Sequence, residues 1–180
     1  MIRVAIAASI LLAAAPLQAA ELDMAARQAV GLFQQACIAH AGDGAAQISF
    51  MEEHHVPHMS PELQQSFLHN QAGVAYDASN SNAHLAVAIL GNGLCVVFSD
   101  TAVPTDLITA LEAALPPVNM TVANVRTHDS DQAPLVHFHD YVLTREGQRY
   151  TMVVSSSGGP GAVKAILSIG LRNPSDDAPK

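Results

Sequence analysis

The sequence predicts a single α+β domain in two layers, with helices packed on one face of a mostly antiparallel sheet. Apolar residues with helical spacing occur before residue 72 and from 104 to 115, whereas the chain from 118 to 171 alternates with the period of strands. Parallel strands need helical crossovers between them, and the last third of the chain shows no helical pattern. This segregation of helices from strands favours an antiparallel sheet.

Three helices are predicted from apolar spacing and from end signals. The first stops at Gly42. The second begins at Pro61, after Ser60 as its N-cap, and the third runs over residues 104–115. A polar, histidine-containing stretch follows Gly42, and no helix is predicted between it and the second helix. The apolar stripe of the first helix, with spacings of three and four residues, consists of Ala26, Val30, Phe33, Cys37 and Ala41.

Strands are predicted in two groups. An extended segment at 73–76 precedes the apolar runs 85–90 and 94–99, which flank the turn Gly91-Asn92-Gly93. Both runs are apolar throughout, which is typical of strands that are buried on two faces. Four further strands, with a tight turn at 145–148, are predicted at 118–126, 135–144, 149–156 and 162–171.

The beginning of the chain has the three parts of a cleavable secretory signal peptide. Arg3 provides the positive charge, residues 4–15 form an apolar run, and small residues place cleavage after Ala19 or Ala20. This run is too short for a membrane-spanning helix, which needs roughly 20 residues. The predicted organisation is a signal peptide at 1–20, one domain at 21–172 and a flexible tail at 173–180.

Composition and charge restrict the partners of the protein. The chain is 49% hydrophobic and 13% charged, which is typical of a folded domain, and its formal net charge is -8. Nucleic acid and anionic membranes repel a negative protein, so neither is expected as a partner. No cysteine follows the apolar run closely enough to accept a lipid. We therefore expect a soluble periplasmic protein without a membrane span or a lipid anchor.

Cys37 and Cys95 are the two cysteines of the chain. In an oxidising compartment such a pair is most simply a disulfide, which here would join the first helix to a strand. A redox-active thiol and a metal ligand are the alternatives, although the chain lacks the CxxC and clustered Cys/His spacings that are typical of them.

The nine histidines suggest metal binding, since imidazole is a common ligand of zinc and copper. One candidate set is His54, His55 and His58, which stand among carboxylate and thioether side chains. The other set is His137 and His139. These two project from the same face of a predicted strand and could supply half of a tetrahedral zinc site.

Both histidine sets also have a purely structural interpretation. Residues 51–59 are then a solvated connection with its histidines on the surface. In the strand, one set of alternating residues would form the core face and the other would face solvent. The core set would be Val136, Phe138 and Val142, and the solvent set would be Leu135, His137, His139, Tyr141 and Leu143.

No catalytic group is predicted. The chain has no G-x-S-x-G sequence, and residues 155–161 are typical of a strand that ends in a flexible Gly-rich turn. That turn also lacks the lysine and the following helix of a phosphate-binding loop. An envelope hydrolase is therefore the least favoured of the functional interpretations.

Four segments carry a resemblance to known proteins: residues 32–43 around Cys37, residues 67–68, residues 91–96 around Cys95, and residues 162–167. In these segments the chain resembles a family of short, uncharacterised exported proteins and lipoproteins of Gram-negative bacteria. The resemblance covers most of the mature chain. It implies no activity, cofactor or site residue, because the family has none to transfer. Lipidated members have an acceptor cysteine that this chain lacks.

The leading functional hypothesis is a non-enzymatic periplasmic domain that binds another protein or an envelope component, as an inhibitor or immunity-like protein does. It is motivated by a disulfide-linked α+β core without a coherent catalytic group. The alternative is a periplasmic zinc- or copper-binding protein that uses His54, His55 and His58, or His137 and His139.

Export predicts a defined start of the mature protein. Expression of the full chain in a Gram-negative host should give a periplasmic form cleaved after Ala19 or Ala20, because signal peptidase cuts after small residues. Intact-mass spectrometry of the periplasmic fraction measures this start. Replacement of both alanines by lysine should block cleavage. An unprocessed wild-type chain in the cytoplasm would contradict the prediction.

Overall fold

A computed structural model describes residues 23–115, 120–131, 135–157 and 163–172. The predicted signal peptide at 1–20 and the predicted tail at 173–180 lie outside the described residues. Within them, the structure confirms a single α+β domain with an antiparallel sheet.

The elements follow one another as the segregated sequence pattern predicts. The helices are α1 (Met24–Leu32), which continues into a π-helical segment (Phe33–Ile38), α2 (Gly44–Glu53), α3 (Pro61–Leu68) and α4 (Pro104–Ala114). The described strands form one sheet in the order β1-β2-β3-β7-β6-β5-β4. Their bounds are β1 Gly73–Asp77, β2 Leu85–Leu90, β3 Cys95–Ser99, β4 Thr121–Asp129, β5 Val136–Arg145, β6 Gln148–Ser157 and β7 Ala165–Leu171.

The main core lies between one face of the sheet, here called the core face, and a layer formed by α1, the π-helical segment, α2 and α4. Burial of one large apolar side chain contributes about 1.5–3 kcal/mol to folding, so this layer accounts for much of the stability. The largest fully buried apolar side chains of the helical layer are Phe33, Ile38, Met51, Leu107 and Leu111, and those of the sheet include Ile89, Leu143, Met152, Leu167 and Ile169.

The helix α3 lies on the opposite face of the sheet, here called the outer face, whereas the prediction placed all helices on one face. Ser60 caps it and Pro61 occupies its first turn, as predicted. Its Leu68 packs with Leu90 and other outer-face residues of β1, β2 and β3 in a second, smaller core. This helix explains why β2 is buried on both faces, as its uniformly apolar sequence predicts.

The disulfide between Cys37 and Cys95 is confirmed. Both residues are fully buried, and their Cα atoms are 5.4 Å apart. The bond joins the π-helical segment to β3, which is paired with β2 on one side and β7 on the other. A link across 58 residues stabilises a fold by about 4 kcal/mol in the chain-entropy account.

The first helix is not regular over its whole length. The prediction was one helix up to Ala41, but residues 33–38 form a π-helix, and Ala39 N donates to Gln34 O at 2.9 Å across its last turn. Every residue of the predicted apolar stripe is buried nevertheless. The stop at Gly42 is confirmed, and its φ of 82° is one that glycine adopts without strain.

The helix α2 was not predicted, and it includes residues 51–53 of the stretch 51–59 that was interpreted as a solvated connection. Asp43 caps this helix by accepting from Ala46 N at 3.0 Å. Only Gln47 and Met51 of the helix are buried. A helix that buries one side chain per turn has no broad apolar stripe, so periodicity does not reveal it.

The assigned faces of β5 are also wrong. Tyr141 and Leu143 lie buried on the core face, whereas Phe138 and Val142 lie on the outer face with Val136. Both alternating sets of this strand contain large apolar residues, so alternation alone does not identify the core face. His137 and His139 therefore lie on the core face. His137 nevertheless keeps 47% of its side chain exposed.

The two edges of the sheet differ. Residues 57–59 cover β1, with Met59 N donating to Ala75 O and Asp77 N donating to Pro57 O. The strand β4 pairs with β5 and has a register shift between Asn124 and Arg126. In the described part of the chain, no helix is long and apolar enough to cross a membrane.

The close approach of the β2–β3 turn to Gly42 can be tested with two glycines of similar backbone conformation. They are Gly93 in the β2–β3 turn and Gly147 in the β5–β6 turn. Both have φ near 80°, but a Cβ on Gly93 would lie 2.8 Å from Gly42 O, whereas one on Gly147 meets nothing within 4 Å. Gly147→Ala should cost about 1–2 kcal/mol of unfolding free energy. Gly93→Ala should cost at least about 1 kcal/mol more, because the backbone of Gly42 must move. Urea unfolding measures both, and equal costs would contradict the close approach of the two turns.

Candidate functional site

Two neighbouring cavities lie at the corner of the sheet where β1 ends and β2 begins. The larger, here called the histidine groove, has a volume of about 510 Å³. Its walls come from Gln28, Leu32 and Gln35 of the first helix, from residues 54–57, and from residues 77–80. Phe50 and Leu85 also line it, so several separate stretches of the chain form the groove.

Three local irregularities meet at the histidine groove. The Oε1 atom of Gln28 is buried and accepts no hydrogen bond from any described residue. Gln35 belongs to the π-helical segment, and His55 has a φ of 53° although it is not glycine. Unpaired buried acceptors and π-helical turns are uncommon, and π-helical turns are enriched at functional sites. The left-handed φ of His55 is that of the C-terminal cap of α2, where Val56 N donates to Met51 O at 3.0 Å.

One wall of the histidine groove is aromatic. The rings of Phe50 and His54 are stacked with centroids 4.1 Å apart. His54 Nδ1 lies 2.8 Å from Phe50 O, which can only accept, so Nδ1 carries the proton. In the neutral ring Nε2 is then an acceptor. The wall thus contains two stacked rings and one nitrogen, His54 Nε2, whose role as an acceptor is defined.

His58 lies outside the histidine groove and belongs to a network at the edge of β1. Glu52 Oε1 accepts from Tyr76 Oη at 2.9 Å and lies 2.8 Å from His58 Nε2. Burial and the hydrogen bond to Glu52 raise the pKa of Tyr76 above its usual range. The network fastens the segment 57–59, and so one end of the groove wall, to β1.

The smaller cavity, here called the aspartate cleft, lies on the outer face and has a volume of about 180 Å³. Asp77 and Asp100 line it together with the apolar side chains of Met59, Phe67 and Phe98. The two phenylalanine rings meet edge to face with centroids 5.0 Å apart. The cleft therefore combines two carboxylates with an apolar floor.

The carboxylate of Asp100 is incompletely satisfied. His84 Nδ1 lies 3.4 Å from Oδ2 in hydrogen-bond geometry. Oδ1 is 3.3 Å from the same nitrogen but makes no hydrogen bond, although it is buried. The Asp100 side chain as a whole is 42% exposed, so its carboxylate is partly open to solvent. Asp77 Oδ1 accepts from Ser79 N at 3.0 Å.

The structure separates the histidines proposed as metal ligands. His54 and His55 line the histidine groove, whereas His58 pairs with Glu52. Among the described residues, no three His, Cys, Asp or Glu side chains are placed to hold one ion. The zinc or copper hypothesis stays a prediction without a ligand set.

His137 and His139 do share a face, as predicted. His137 Nδ1 lies 2.6 Å from Asp129 Oδ1 on β4, and His139 Nδ1 is buried without a hydrogen-bond partner in the described part of the chain. Strand register also places Ser156 of β6 beside His137. Asp129, His137 and Ser156 thus stand in a row across three strands, but no hydrogen bond joins the last two.

A further polar cluster on the outer face was not predicted. Arg126 Nη2 lies 3.1 Å from His128 Nε2, and Arg126 Nε lies 3.4 Å from Asp140 Oδ2. The His128 ring stacks on Phe138 with centroids 4.9 Å apart. The register shift in β4 aligns these residues with β5, and a shift of this kind has no signal in the sequence.

Comparisons with protein-family models, with curated proteins and with solved structures give no match. The resemblance to a family of exported proteins therefore stays a prediction.

The row of Asp129, His137 and Ser156 allows a direct test for serine hydrolase chemistry. A fluorophosphonate probe should leave Ser156 unmodified, because no base is hydrogen-bonded to its Oγ atom. Peptide mass spectrometry measures the adduct, and Ser155 on the opposite face of the strand is the internal control. Selective labelling of Ser156 that is lost in His137→Ala would contradict the prediction and favour a hydrolase.

Proposed function

We propose that this protein is an exported, non-enzymatic binding domain that holds a segment of another protein, or an envelope component, in the histidine groove. The signal peptide at 1–20 directs it to the periplasm, where the disulfide forms. Inhibitor and immunity-like proteins act by binding a partner and catalyse no reaction. We propose the same mode of action for this domain.

The histidine groove, a cavity of about 510 Å³ with Gln28 in its wall, is the observation that carries this proposal. The Oε1 atom of Gln28 is buried without a hydrogen-bond partner among the described residues, which costs about 1–3 kcal/mol in the free protein. When the Gln28 side chain turns toward the groove, a peptide N–H group of the ligand pairs this atom and removes the cost. The stacked rings of Phe50 and His54 add an apolar surface for the same ligand.

The groove is also held in shape before any ligand arrives. Cys37 fastens the π-helical segment to β3, and the hydrogen bonds of residues 57–59 to β1 fix the opposite wall. A preformed groove loses little conformational entropy on binding, so more of the contact energy appears as affinity. The small surface of the groove can therefore bind its ligand with high affinity.

Site-specific photocrosslinking identifies the partner. A photoreactive residue at Ala78 in the histidine groove should give an adduct in the periplasm, whereas one at Glu146, in the β5–β6 turn at the other end of the strands, should not. The adduct supplies the partner for purification.

The purified partner then tests the role of Gln28. Gln28→Leu should weaken its affinity about tenfold, because one hydrogen bond is lost. The same substitution should leave thermal stability unchanged or higher, because the unpaired acceptor is removed. Gln65→Leu on the exposed surface of α3 is the control and should change neither quantity. Equal affinity of the wild type and Gln28→Leu would refute binding in the groove.

A further inference from the structure

We infer that Asn92, in the β2–β3 turn, is a site of spontaneous covalent modification, at which the side-chain amide is lost and an isoaspartyl link forms in the main chain. Water is the co-reactant. The inference is independent of the proposed function, because Asn92 lines neither the histidine groove nor the aspartate cleft.

The reaction begins within the chain. The main-chain nitrogen of Gly93 attacks Cγ of Asn92 and forms a C–N bond, and the side-chain nitrogen leaves with the displaced proton as ammonia. The product is a cyclic succinimide. Water then adds to one of its two carbonyl groups and opens the ring, which gives either an aspartate or an isoaspartate, whose main chain runs through the former side chain. The new carboxyl group ionises, so the protein gains a negative charge, and no electrons are exchanged with any other molecule.

The residue after Asn92 makes this attack possible. A side chain at the following position crowds the approach of the main-chain nitrogen to Cγ, and Asn92 is the one asparagine of the chain that glycine follows. Asn92 is also exposed, so water reaches the ring. The fold requires the glycine, because Gly93 has a φ of 79° and a Cβ on it would lie 2.8 Å from Gly42 O. The packing of the turn therefore keeps the reactive pair in the sequence.

The hydrogen bonds of the turn bring the reacting groups together. Asn92 Oδ1 accepts from Leu94 N at 3.1 Å, so the side chain folds back over the peptide group that contains Gly93 N. The same N–H group stabilises the negative charge that develops on Oδ1 during the attack. Gly93 N itself donates to Leu90 O at 2.9 Å and must first be released. Local opening of one turn needs far less free energy than unfolding, so the reaction proceeds in the folded protein.

An isoaspartyl link disturbs the packing of this turn. It adds a carbon atom to the main chain directly before Gly93, whose backbone packs against Gly42 and Gly44. The helix α2 begins at Gly44, and Gln47 N closes its first turn by donating to Asp43 O at 3.0 Å. The modification therefore loosens the start of α2. An ordinary aspartate at the same position changes the charge but leaves the length of the main chain unaltered.

Peptide mass spectrometry of the folded protein, incubated in a mildly alkaline buffer, tests the site. Asn80 is the internal control, because it is also exposed and its Oδ1 accepts from Asn82 N at 2.9 Å, but serine follows it. Asn92 should be converted well before Asn80, and an isoaspartyl methyltransferase should label the product. Equal conversion of the two would overturn the inference. So would an intact Asn92 in the folded protein after the guanidinium-denatured chain has been converted.

Two substitutions complete the test. Asn92→Gln keeps an amide but needs a larger ring for the same attack, so the methyltransferase labelling should be lost. Asn92→Asp carries the charge without the longer main chain. The Gln47 amide should therefore exchange its hydrogen faster in the converted wild type than in freshly purified Asn92→Asp. Persistent labelling of Asn92→Gln would overturn the assignment of the site, and equal exchange of the Gln47 amide would overturn its effect on α2.

Discussion

The disulfide between Cys37 and Cys95 is the constraint on which the rest of the structure depends. The strand β3 pairs with β2 and β7, so it joins the strands β1–β3 to the strands β4–β7. The bond fastens the helical layer to this strand at the centre of the main core. Without it, the layer would be held by the packing of small and medium aliphatic side chains, because the chain has no tryptophan and only 4% aromatic residues.

The position of the two cavities follows from the way in which the helices cover the two faces of the sheet. The helical layer covers the core face and α3 covers β1 and β2 on the outer face, so the end of β1 is enclosed on both sides. Neither layer closes completely over the β1–β2 turn. The histidine groove opens on one side of that turn and the aspartate cleft on the other. Two buried polar atoms without a hydrogen-bond partner among the described residues, Gln28 Oε1 and Asp100 Oδ1, belong to residues that line these cavities.

Much of the fold could be predicted from the sequence, because strands and helices with one apolar face have a clear period. The disulfide also could be predicted, since the chain has two cysteines. The helix α2 could not be predicted, because only Gln47 and Met51 are buried and the helix therefore has no broad apolar stripe. The faces of β5 could not, because Phe138 and Tyr141 are both large and compete for the core. The groove could not, since Gln28, His54 and Asp77 come together only in the folded chain. His54 and His55 were predicted as candidate metal ligands, and the structure places them in the wall of the histidine groove.

Hydrogen exchange of the oxidised protein and of Cys37→Ala with Cys95→Ala tests the central role of the disulfide most directly. We expect the variant to lose protection mainly in α1 and the π-helical segment, whose Gln28 and Gln35 form a wall of the histidine groove. The amides of the hairpin β5–β6 should keep most of theirs, because the strand pairing there does not involve the bond. Unchanged protection in α1 and the π-helical segment would contradict the account.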